Sequence, residues 1–202
     1  MQKARLVLFD IGNVLLSINP AHVAFPLDGL GTEEASRVEE VVDAFRGSEV
    51  YMRFEHGRAS VEEFCAAVRA EFRSSLSDEE IAHHYLRILG PEKEGMLLLV
   101  EDLKRLGVRV AALTNTDPIH LGAISQYPAV RALERVIASC VTGRKKPAPE
   151  AFQDALRRLD ASPKETYFTD DLHANVEGAR AAGIRADVFE GPDALREALE
   201  IK

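Results

Sequence analysis

The sequence predicts an α/β protein with a doubly wound, Rossmann-like parallel core sheet and an inserted small helical domain. Two observations predict the core: strand-like apolar segments alternate with helical segments, and the first two strands are nearly continuous apolar runs. Such runs are typical of parallel sheets that helices cover on both faces. A third observation predicts the insert, because the stretch from about Pro20 to Gly90 shows helical patterns and no convincing strand.

The core elements can be read in chain order. The predicted strands are Arg5–Phe9, Val108–Leu113, Val136–Cys140, Thr166–Thr169 and Ala186–Phe189. The predicted helices between and after the later strands are Glu94–Leu106, Pro147–Leu159, Ala174–Ala182 and Asp193–Leu199. Gly107 and Gly183 directly follow two of these helices, at the position where glycine commonly ends a helix. This alternation of strands and helices predicts the doubly wound arrangement.

The insert has its own helix starts and its own boundaries. Capping boxes that begin at Ser60 and Ser77 predict two helix N-termini. Pro20 marks one edge of the insert and Gly90-Pro91 marks the other, and both sequences favour hinges. The predicted division of the chain is an α/β core of residues 1–18 and 91–202 and a helical domain of residues 19–90.

Composition restricts the classes of function. The formal net charge of −8 argues against a general nucleic-acid binder, which needs a basic surface. The longest uninterrupted apolar stretch, Met96–Val100, is far too short to span a membrane. Cys65 and Cys140 lack CxxC spacing, so we expect neither a zinc site nor a disulfide framework. They are expected to be buried thiols of a cytoplasmic protein.

Polar residues stand at or near the ends of four predicted strands. They are Asp10 after the first strand, Thr114-Asn115-Thr116 after the second, Lys146 shortly after the third and Asp170-Asp171 after the fourth. Each alone has an ordinary structural interpretation, such as a turn cap or a helix start. Ligands of open parallel sheets bind beyond the carboxyl ends of the strands, so we expect these residues to meet. Three acids packed together repel one another and need a cation.

This set of residues suits the transfer of a phosphoryl group to water. Carboxylates and a backbone carbonyl provide the oxygen ligands that Mg²⁺ prefers. The ion and Lys146 would offset negative charge, so that one carboxylate oxygen of Asp10 could attack phosphorus. The hydroxyl of Thr114 and the backbone N–H groups around Asn115 would hold the other phosphate oxygens.

Four segments resemble the motifs of the haloacid dehalogenase-like hydrolase superfamily. They are FDIGNVLL (Phe9 to Leu16), LTNT (Leu113 to Thr116), GRKKP (Gly143 to Pro147) and FTDDLHANVEGARAAGI (Phe168 to Ile184). Any one of them would be a weak signal, but four in this order are a strong one. The resemblance implies a cytoplasmic, Mg²⁺-dependent phosphatase of small phosphorylated metabolites, with a helical cap over the substrate. It implies no nucleic-acid or membrane partner, and either a monomer or a homodimer.

The same resemblance implies roles for individual residues. The implied catalytic residues are Asp10, which would form an aspartyl-phosphate, and Lys146. The implied substrate-binding residues are Thr114, Asn115 and Lys146. The implied metal ligands are Asp10, the backbone carbonyl of Gly12, Asp171 directly and Asp170 through water. Asn175 is expected to orient the loop.

Gly12 departs from the family pattern, because phosphatases of this family usually carry aspartate there as general acid and base. Loss of a positioned proton donor typically costs ~10²–10⁴ in rate. Three interpretations stay open: an ester whose leaving group needs little help, such as an anomeric sugar phosphate; a proton from water or from a cap residue near Glu55-His56; or vestigial catalysis. The GNV variant and the cap sequence RFEHGRASVEEF (Arg53 to Phe64) resemble bacterial phosphatases that act on glucose 1-phosphate, which favours activity.

Three alternatives can be weighed on the same residues. A 2-haloacid dehalogenase would also use Asp10 as its nucleophile, but it needs no metal, and the acid pair Asp170-Asp171 argues against it. A phosphomutase depends on the acid that Gly12 lacks. A non-catalytic relative could still bind Mg²⁺ and phosphate without turnover. No histidine is expected to bind a metal.

Overall fold

A computed structural model describes residues 4–19 and 38–201 of the 202-residue chain. The predicted boundary at Pro20 and residues 20–37 of the predicted helical domain lie outside these ranges. The described strands are β1 (Leu6–Phe9), β2 (Leu16–Ile18), β3 (Leu89–Glu92), β4 (Arg109–Thr114), β5 (Val136–Ala138), β6 (Thr166–Asp170) and β7 (Arg185–Val188). The described α-helices are α1 (Val38–Arg46), α2 (Glu49–Glu55), α3 (Val61–Phe72), α4 (Asp78–Leu86), α5 (Met96–Arg105), α6 (Pro118–Ile124), α7 (Pro128–Arg131), α8 (Ser139–Thr142), α9 (Pro149–Arg158), α10 (His173–Ala181) and α11 (Pro192–Ala198).

A five-stranded parallel sheet forms the core, with the strand order β5-β4-β1-β6-β7. β1 lies in the middle, where Phe9 is paired with Ala112 of β4 and with Thr169 of β6. The chain adds β4 and β5 on one side of β1 and then β6 and β7 on the other. The predicted doubly wound parallel sheet is therefore confirmed. Because the chain adds strands first on one side of β1 and then on the other, a crevice forms at the carboxyl ends of the three central strands, where such sheets bind ligands.

Apolar side chains of β1 alternate between two clusters, one on each face of the sheet. Val7 and Phe9 pack with residues of α5, α7 and α11. Leu6 and Leu8 pack with residues of α9 and α10. These four side chains are at most 2% exposed, and full burial of one such side chain contributes roughly 1.5–3 kcal/mol. The strand that directly precedes Asp10 is therefore packed on both faces.

A small antiparallel ribbon, formed by β2 and β3, joins the core to the insert, and the sequence did not predict it. Leu16 is paired with Glu92, and Ile18 is paired with Leu89. A Cβ on Gly90 would lie 3.0 Å from the carbonyl oxygen of Ser17, which explains a glycine at this crossing.

The helices α1–α4 form the helical insert, residues 38–86, around a cluster of aromatic side chains. Phe54 and Phe64 are stacked with their ring centroids 4.4 Å apart. Both predicted capping boxes are confirmed, at Ser60 for α3 and at Ser77 for α4. Within the described ranges, no helix combines the length and the apolar character that crossing a membrane requires.

One predicted strand is too long. β5 ends at Ala138, and the chain turns into the short helix α8 instead of extending to Cys140. The hydroxyl of Ser139 accepts a hydrogen bond from the backbone N–H of Thr116 at 2.9 Å, and it also lies 2.8 Å from the carbonyl oxygen of Glu55. These tertiary contacts override the strand tendency of the apolar run.

Candidate active site

Three carboxylates meet at the carboxyl edge of the central strands. Asp10 directly follows β1, Asp170 is the last residue of β6, and Asp171 follows it. Each offers an oxygen that lies within 4.8 Å of the others. Asp10 is buried and Asp170 is fully buried. The parallel register of β1 and β6 places these acids side by side, as their positions at strand ends predict.

The ammonium group of Lys146 lies between two of these acids. Its Nζ is 2.7 Å from Oδ1 of Asp10 and 2.6 Å from Oδ2 of Asp170. The lysine is only 3% exposed, so its charge acts in a medium where ion pairs are strong and an unpaired charge is costly. The lysine therefore offsets negative charge directly beside Asp10.

Asn115 holds the backbone of Lys146 in place. Its amide Nδ2 donates to the carbonyl oxygen of Lys146, and its Oδ1 accepts from the N–H of Lys146, both at 2.9 Å. Because the side chain of Asn115 is engaged by these hydrogen bonds, the backbone N–H of Asn115 is the group that this residue can offer to a phosphate. Thr114, the last residue of β4, is buried and lines the same cavity as Asp10.

Asp170 has its oxygens occupied by hydrogen bonds. Oδ1 accepts from the backbone N–H of Leu172 and from Nδ2 of Asn175, and Oδ2 accepts from Lys146 and, at 3.0 Å, from Asn175. These four contacts fix the orientation of the Asp170 carboxylate beside Asp10. Asn175 lies in the first turn of α10 and holds this carboxylate, as expected of a residue that orients the loop.

Asn13 positions Asp171, and sequence reasoning missed it. Its Nδ2 donates to Oδ2 of Asp171 at 3.0 Å, and its Oδ1 accepts from the backbone N–H of Ile18 at 3.1 Å. The backbone of Asn13 is left-handed, with φ of 54°. Asparagine is one of the few residues besides glycine that adopt this conformation readily, and the Gly-Asn pair was the available signal.

The acids fit a divalent cation. Three carboxylates and one ammonium group give this cluster a formal charge of −3 + 1 = −2. In the protein alone, the pKa of Asp10 is raised to about 6, because the effect of burial outweighs the opposing charge of Lys146 and the charge of Asp170 adds to the rise. Oxygen ligands and a net charge of −2 match the preference of Mg²⁺. The residues present thus suit a magnesium ion.

The backbone conformation at residue 12 does not require glycine, because its φ lies outside the left-handed region in which several other glycines of the chain lie. A Cβ at this position would lie 3.2 Å from Cγ1 of Ile18 and 3.9 Å from Oδ2 of Asp10. The side chain of Ile18 therefore crowds the space that a side chain on residue 12 would enter. An aspartate at this position would require a small movement of Ile18.

A cavity of about 470 Å³ opens between this edge of the sheet and the helical insert. The core contributes Asp10, Asp171, Thr114 and Lys146 to its wall. The insert contributes Arg46, Tyr51 and Glu55, which sequence analysis did not identify as a set. Cavities of this size hold small metabolites.

Hydrogen bonds join the insert to the core around this cavity. His120 places Nδ1 2.6 Å from Oδ2 of Asp117 and Nε2 3.1 Å from the carbonyl oxygen of Tyr85 in α4. The hydroxyl of Tyr85 donates to Asp117 at 3.1 Å. Both nitrogens of His120 are thus occupied. Asp117 also caps α6 through the backbone N–H groups of Ile119 and His120.

A second set of contacts lies at the end of α2. Glu55 forms an ion pair with Lys145, and its carbonyl oxygen lies beside the hydroxyl of Ser139. Gly57 has a left-handed φ of 65°, and a Cβ on it would lie 1.9 Å from the carbonyl oxygen of Cys140. Only glycine permits this approach of the insert to α8.

The chain has a parallel sheet flanked by helices, with three acids and a lysine gathered at the carboxyl ends of its central strands. This combination is that of an α/β enzyme. More particularly, the chain belongs to the haloacid dehalogenase-like hydrolases, the family whose sequence model matches residues 4–183. The resemblance that the four motifs carry is confirmed at the level of this family. The chain is therefore a hydrolase of that family.

Two curated relatives are similar to most of the chain. A sesquiterpene phosphatase of Aspergillus oryzae, AstK, is 28% identical over an alignment of 185 positions that covers 89% of this chain and 87% of the relative. Acyl-CoA dehydrogenase family member 10 of Mus musculus is 28% identical over an alignment of 216 positions that covers 97% of this chain. The chain spans only 19% of the length of the mouse protein.

A solved structure has a similar fold. It is a wild-type haloacid dehalogenase family enzyme of Bacteroides thetaiotaomicron in complex with magnesium and inorganic phosphate. It is 25% identical, has a TM-score of 0.79, and the match covers 93% of this chain and 94% of the other. This similarity agrees with the family assignment and with the acids that suit a magnesium ion.

Proposed function

We propose that the protein is a Mg²⁺-dependent phosphatase that hydrolyses small phosphomonoesters, sugar phosphates among them, through an aspartyl-phosphate on Asp10. One observation carries the proposal: the buried carboxylate of Asp10 lies beside Lys146, Asp170 and Asp171 in the wall of a metabolite-sized cavity. The name of the fungal relative and the magnesium and phosphate in the Bacteroides structure support it.

The metal would be held by the acids described above. Asp10, Asp171 and the backbone carbonyl of Gly12 would be direct ligands, and Asp170 would act through water. When bound, Mg²⁺ would offset the charge of the phosphate, which an anionic nucleophile otherwise repels.

In the first chemical step, one oxygen of Asp10 attacks phosphorus while Lys146 holds the other. Oδ1 is engaged by the ammonium group, so Oδ2 is the proposed nucleophilic oxygen. The P–O bond to the leaving group breaks, and the leaving oxygen takes up a proton. In the second step, water attacks phosphorus, releases inorganic phosphate and restores the carboxylate.

Substrate oxygens need donors that are already in place. The hydroxyl of Thr114, the backbone N–H of Asn115 and the ammonium group of Lys146 are proposed to hold the phosphate. Donors fixed before reaction stabilise developing charge without reorganisation. The Asn115 contacts to the Lys146 backbone serve this purpose, because they fix the loop that carries the ammonium group.

The proton for the leaving group must come from elsewhere than residue 12. Glu55 lines the cavity, but its carboxylate is engaged in an ion pair with Lys145. His120 has both nitrogens engaged. We therefore propose that water supplies the proton, and that esters with an acidic leaving oxygen, such as anomeric sugar phosphates, are hydrolysed best.

The helical domain of residues 19–90 is proposed to act as a cap over a core of residues 1–18 and 91–202. The described part of this domain supports the idea, because Arg46, Tyr51, Glu55 and Tyr85 form part of the cavity wall. Contacts of α2 and α4 with the core would then exclude water from the site when substrate is bound.

The direct test is phosphate release from a panel of phosphorylated metabolites with Mg²⁺, with sugar 1-phosphates beside sugar 6-phosphates. A halogenated acid is included to detect dehalogenation. We expect phosphate release from at least one sugar phosphate and no halide release. Halide release without metal, or no phosphate release from the whole panel, would contradict the proposal.

A further inference from the structure

We infer that Arg46 binds a second anionic group, a carboxylate or a second phosphate, on the leaving-group part of the substrate. The inference rests on the proposed phosphatase function and narrows its substrate class to phosphomonoesters that carry another negative charge. It concerns the wall that the helical insert contributes, and it is independent of the acids that would hold the metal.

The position of Arg46 is the first observation. Arg46 is the last residue of α1, and it lines the cavity that Asp10 also lines. Only 27% of its side chain is exposed, so most of it is covered by protein. Tyr51 lies in the same wall, and burial raises the pKa of its hydroxyl to about 12, a shift that the positive charge of Arg46 partly opposes. The guanidinium is therefore part of the cavity and not of the outer surface alone.

The second observation concerns how the other cations are engaged. Lys146 is bound by Asp10 and Asp170, and Lys145 is bound by Glu55. Arg46 forms a 3.5 Å ion pair with Asp43, whose side chain is 75% exposed on the same helix. Such exposed pairs are weak and are easily exchanged for a better partner. Among the described residues of this cavity wall, Arg46 is the cation that no buried acid offsets.

The chemistry of the ligand follows from the guanidinium. Its planar fork of N–H donors matches the paired oxygens of a carboxylate or a phosphate. A volume of about 470 Å³ leaves space beyond a bound phosphoryl group for a small organic part and this second anion. The apolar side chains of Ile18, Ile88 and Leu89 line the same cavity. The insert also contributes Tyr51, Tyr85 and the paired carboxylate of Glu55, so Arg46 is the positively charged residue among the described residues of the insert in this wall.

The experiment compares substrates that differ by one anionic group. Glucose 1-phosphate is paired with glucuronic acid 1-phosphate, for the carboxylate, and with glucose 1,6-bisphosphate, for the second phosphate. kcat and KM are measured for the wild type, Arg46→Gln, Arg46→Lys and the control Arg105→Gln. Arg105 is an exposed residue of α5 that is paired with Asp102, and its substitution changes the net charge equally. Thermal unfolding verifies that each variant is folded.

We expect Arg46→Gln to lower the preference for at least one doubly charged substrate over glucose 1-phosphate by roughly tenfold or more, the size expected for a lost charge-assisted contact. The change should lie mainly in KM, Arg46→Lys should keep part of the preference, and Arg105→Gln should keep all of it. If the preference for glucuronic acid 1-phosphate falls, the second anionic group is a carboxylate, and if the preference for glucose 1,6-bisphosphate falls, it is a phosphate. A wild type without preference, or an equal loss for all substrates in Arg46→Gln, would overturn the inference.

A binding measurement separates this inference from the proposed function. Calorimetry with Asp10→Asn and with Asp10→Asn/Arg46→Gln, both in Mg²⁺, measures the affinities of the same three compounds without turnover. If the wild type releases no phosphate but Asp10→Asn binds a doubly charged compound in an Arg46-dependent way, the phosphatase proposal fails and the anion site stands. If affinity is independent of Arg46, the anion site is refuted whether or not phosphate is released.

Discussion

Lys146 and Asp170 form a fully enclosed ion pair, with 2.6 Å between Nζ and Oδ2 and side-chain exposures of 1% and 0%. The same ammonium group reaches Asp10, so a single cation joins the ends of β1 and β6. The loop after α8 thus contributes the charge that lets two buried acids remain close together. This arrangement leads to the first of five predictions.

Lys146→Met should abolish hydrolysis and lower the free energy of unfolding by roughly 3–5 kcal/mol, because it leaves two buried carboxylates without their cation. Urea denaturation measures the loss of stability. Lys145→Met is the matched control, since it breaks only the partly exposed pair with Glu55. Equal stability of the two variants would contradict the importance assigned to the buried lysine.

Asp10→Asn should remove phosphate release while leaving the fold intact, because the amide is a poor nucleophile and keeps the shape of the side chain. Circular dichroism verifies the fold. Acid-quenched wild type, analysed by mass spectrometry, should carry one phosphoryl group on the peptide that contains Asp10. Undiminished turnover in the variant would exclude Asp10 as the nucleophile.

EDTA should stop activity and added Mg²⁺ should restore it. Mg²⁺ should also raise the stability of the protein, by about 2.7 kcal/mol at a concentration of 100 times Kd. Asn13→Gly should weaken Mg²⁺ binding about 10–100-fold, because the variant keeps the left-handed backbone but loses the hydrogen bond that orients Asp171. Thermal shifts across a Mg²⁺ titration measure the affinity; unchanged shifts would mean that Asp171 needs no such support.

Gly12→Asp combined with Ile18→Ala should raise kcat for esters of ordinary alcohols, by up to roughly 10²-fold, if a proton donor is what the site lacks. The second substitution removes the carbon that a Cβ on residue 12 would crowd at 3.2 Å. Gly12→Asn with Ile18→Ala has the same shape without the acid and should give no gain. A double variant that binds Mg²⁺ yet gains nothing would show that another group already supplies the proton.

Gly57→Ala should reduce activity and stability more than Gly107→Ala does. Both residues have a left-handed φ, of 65° and 76°, so both changes introduce backbone strain, about 1–2 kcal/mol each. Only residue 57 would also meet the carbonyl oxygen of Cys140, whereas nothing lies within 4 Å of a Cβ on residue 107. Urea denaturation and steady-state kinetics compare the two; equal effects would mean that the α2–α8 contact is dispensable.

The core sheet could be predicted from sequence because its strands are local apolar runs and its parallel order follows from alternation with helices. The positions of Asp10, Thr114 and Asp170 at strand ends follow from the same pattern, since parallel strands end at one edge. The ribbon of β2 and β3 could not be predicted, because its pairing joins segments on opposite sides of the insert.

Other features of the site depend on tertiary contacts that leave little trace in sequence. The sequence pattern did not indicate that the side chain of Asn115 binds the backbone of Lys146, 31 residues away, while its backbone N–H stays a predicted phosphate contact. The approach of Arg46 to the cavity depends on how α1 packs in the insert. The occupation of both His120 nitrogens depends on α4 meeting α6.

The side chains that hold one another at the sheet edge, from Asp10 through Lys146 and Asp170 to Asn175, all come from the core. Arg46 and Tyr51 come from the insert, whose helices α2 and α4 hydrogen-bond to the core. Transplanting the insert of a relative onto this core should therefore change which compounds are accepted and preserve the chemistry performed on them.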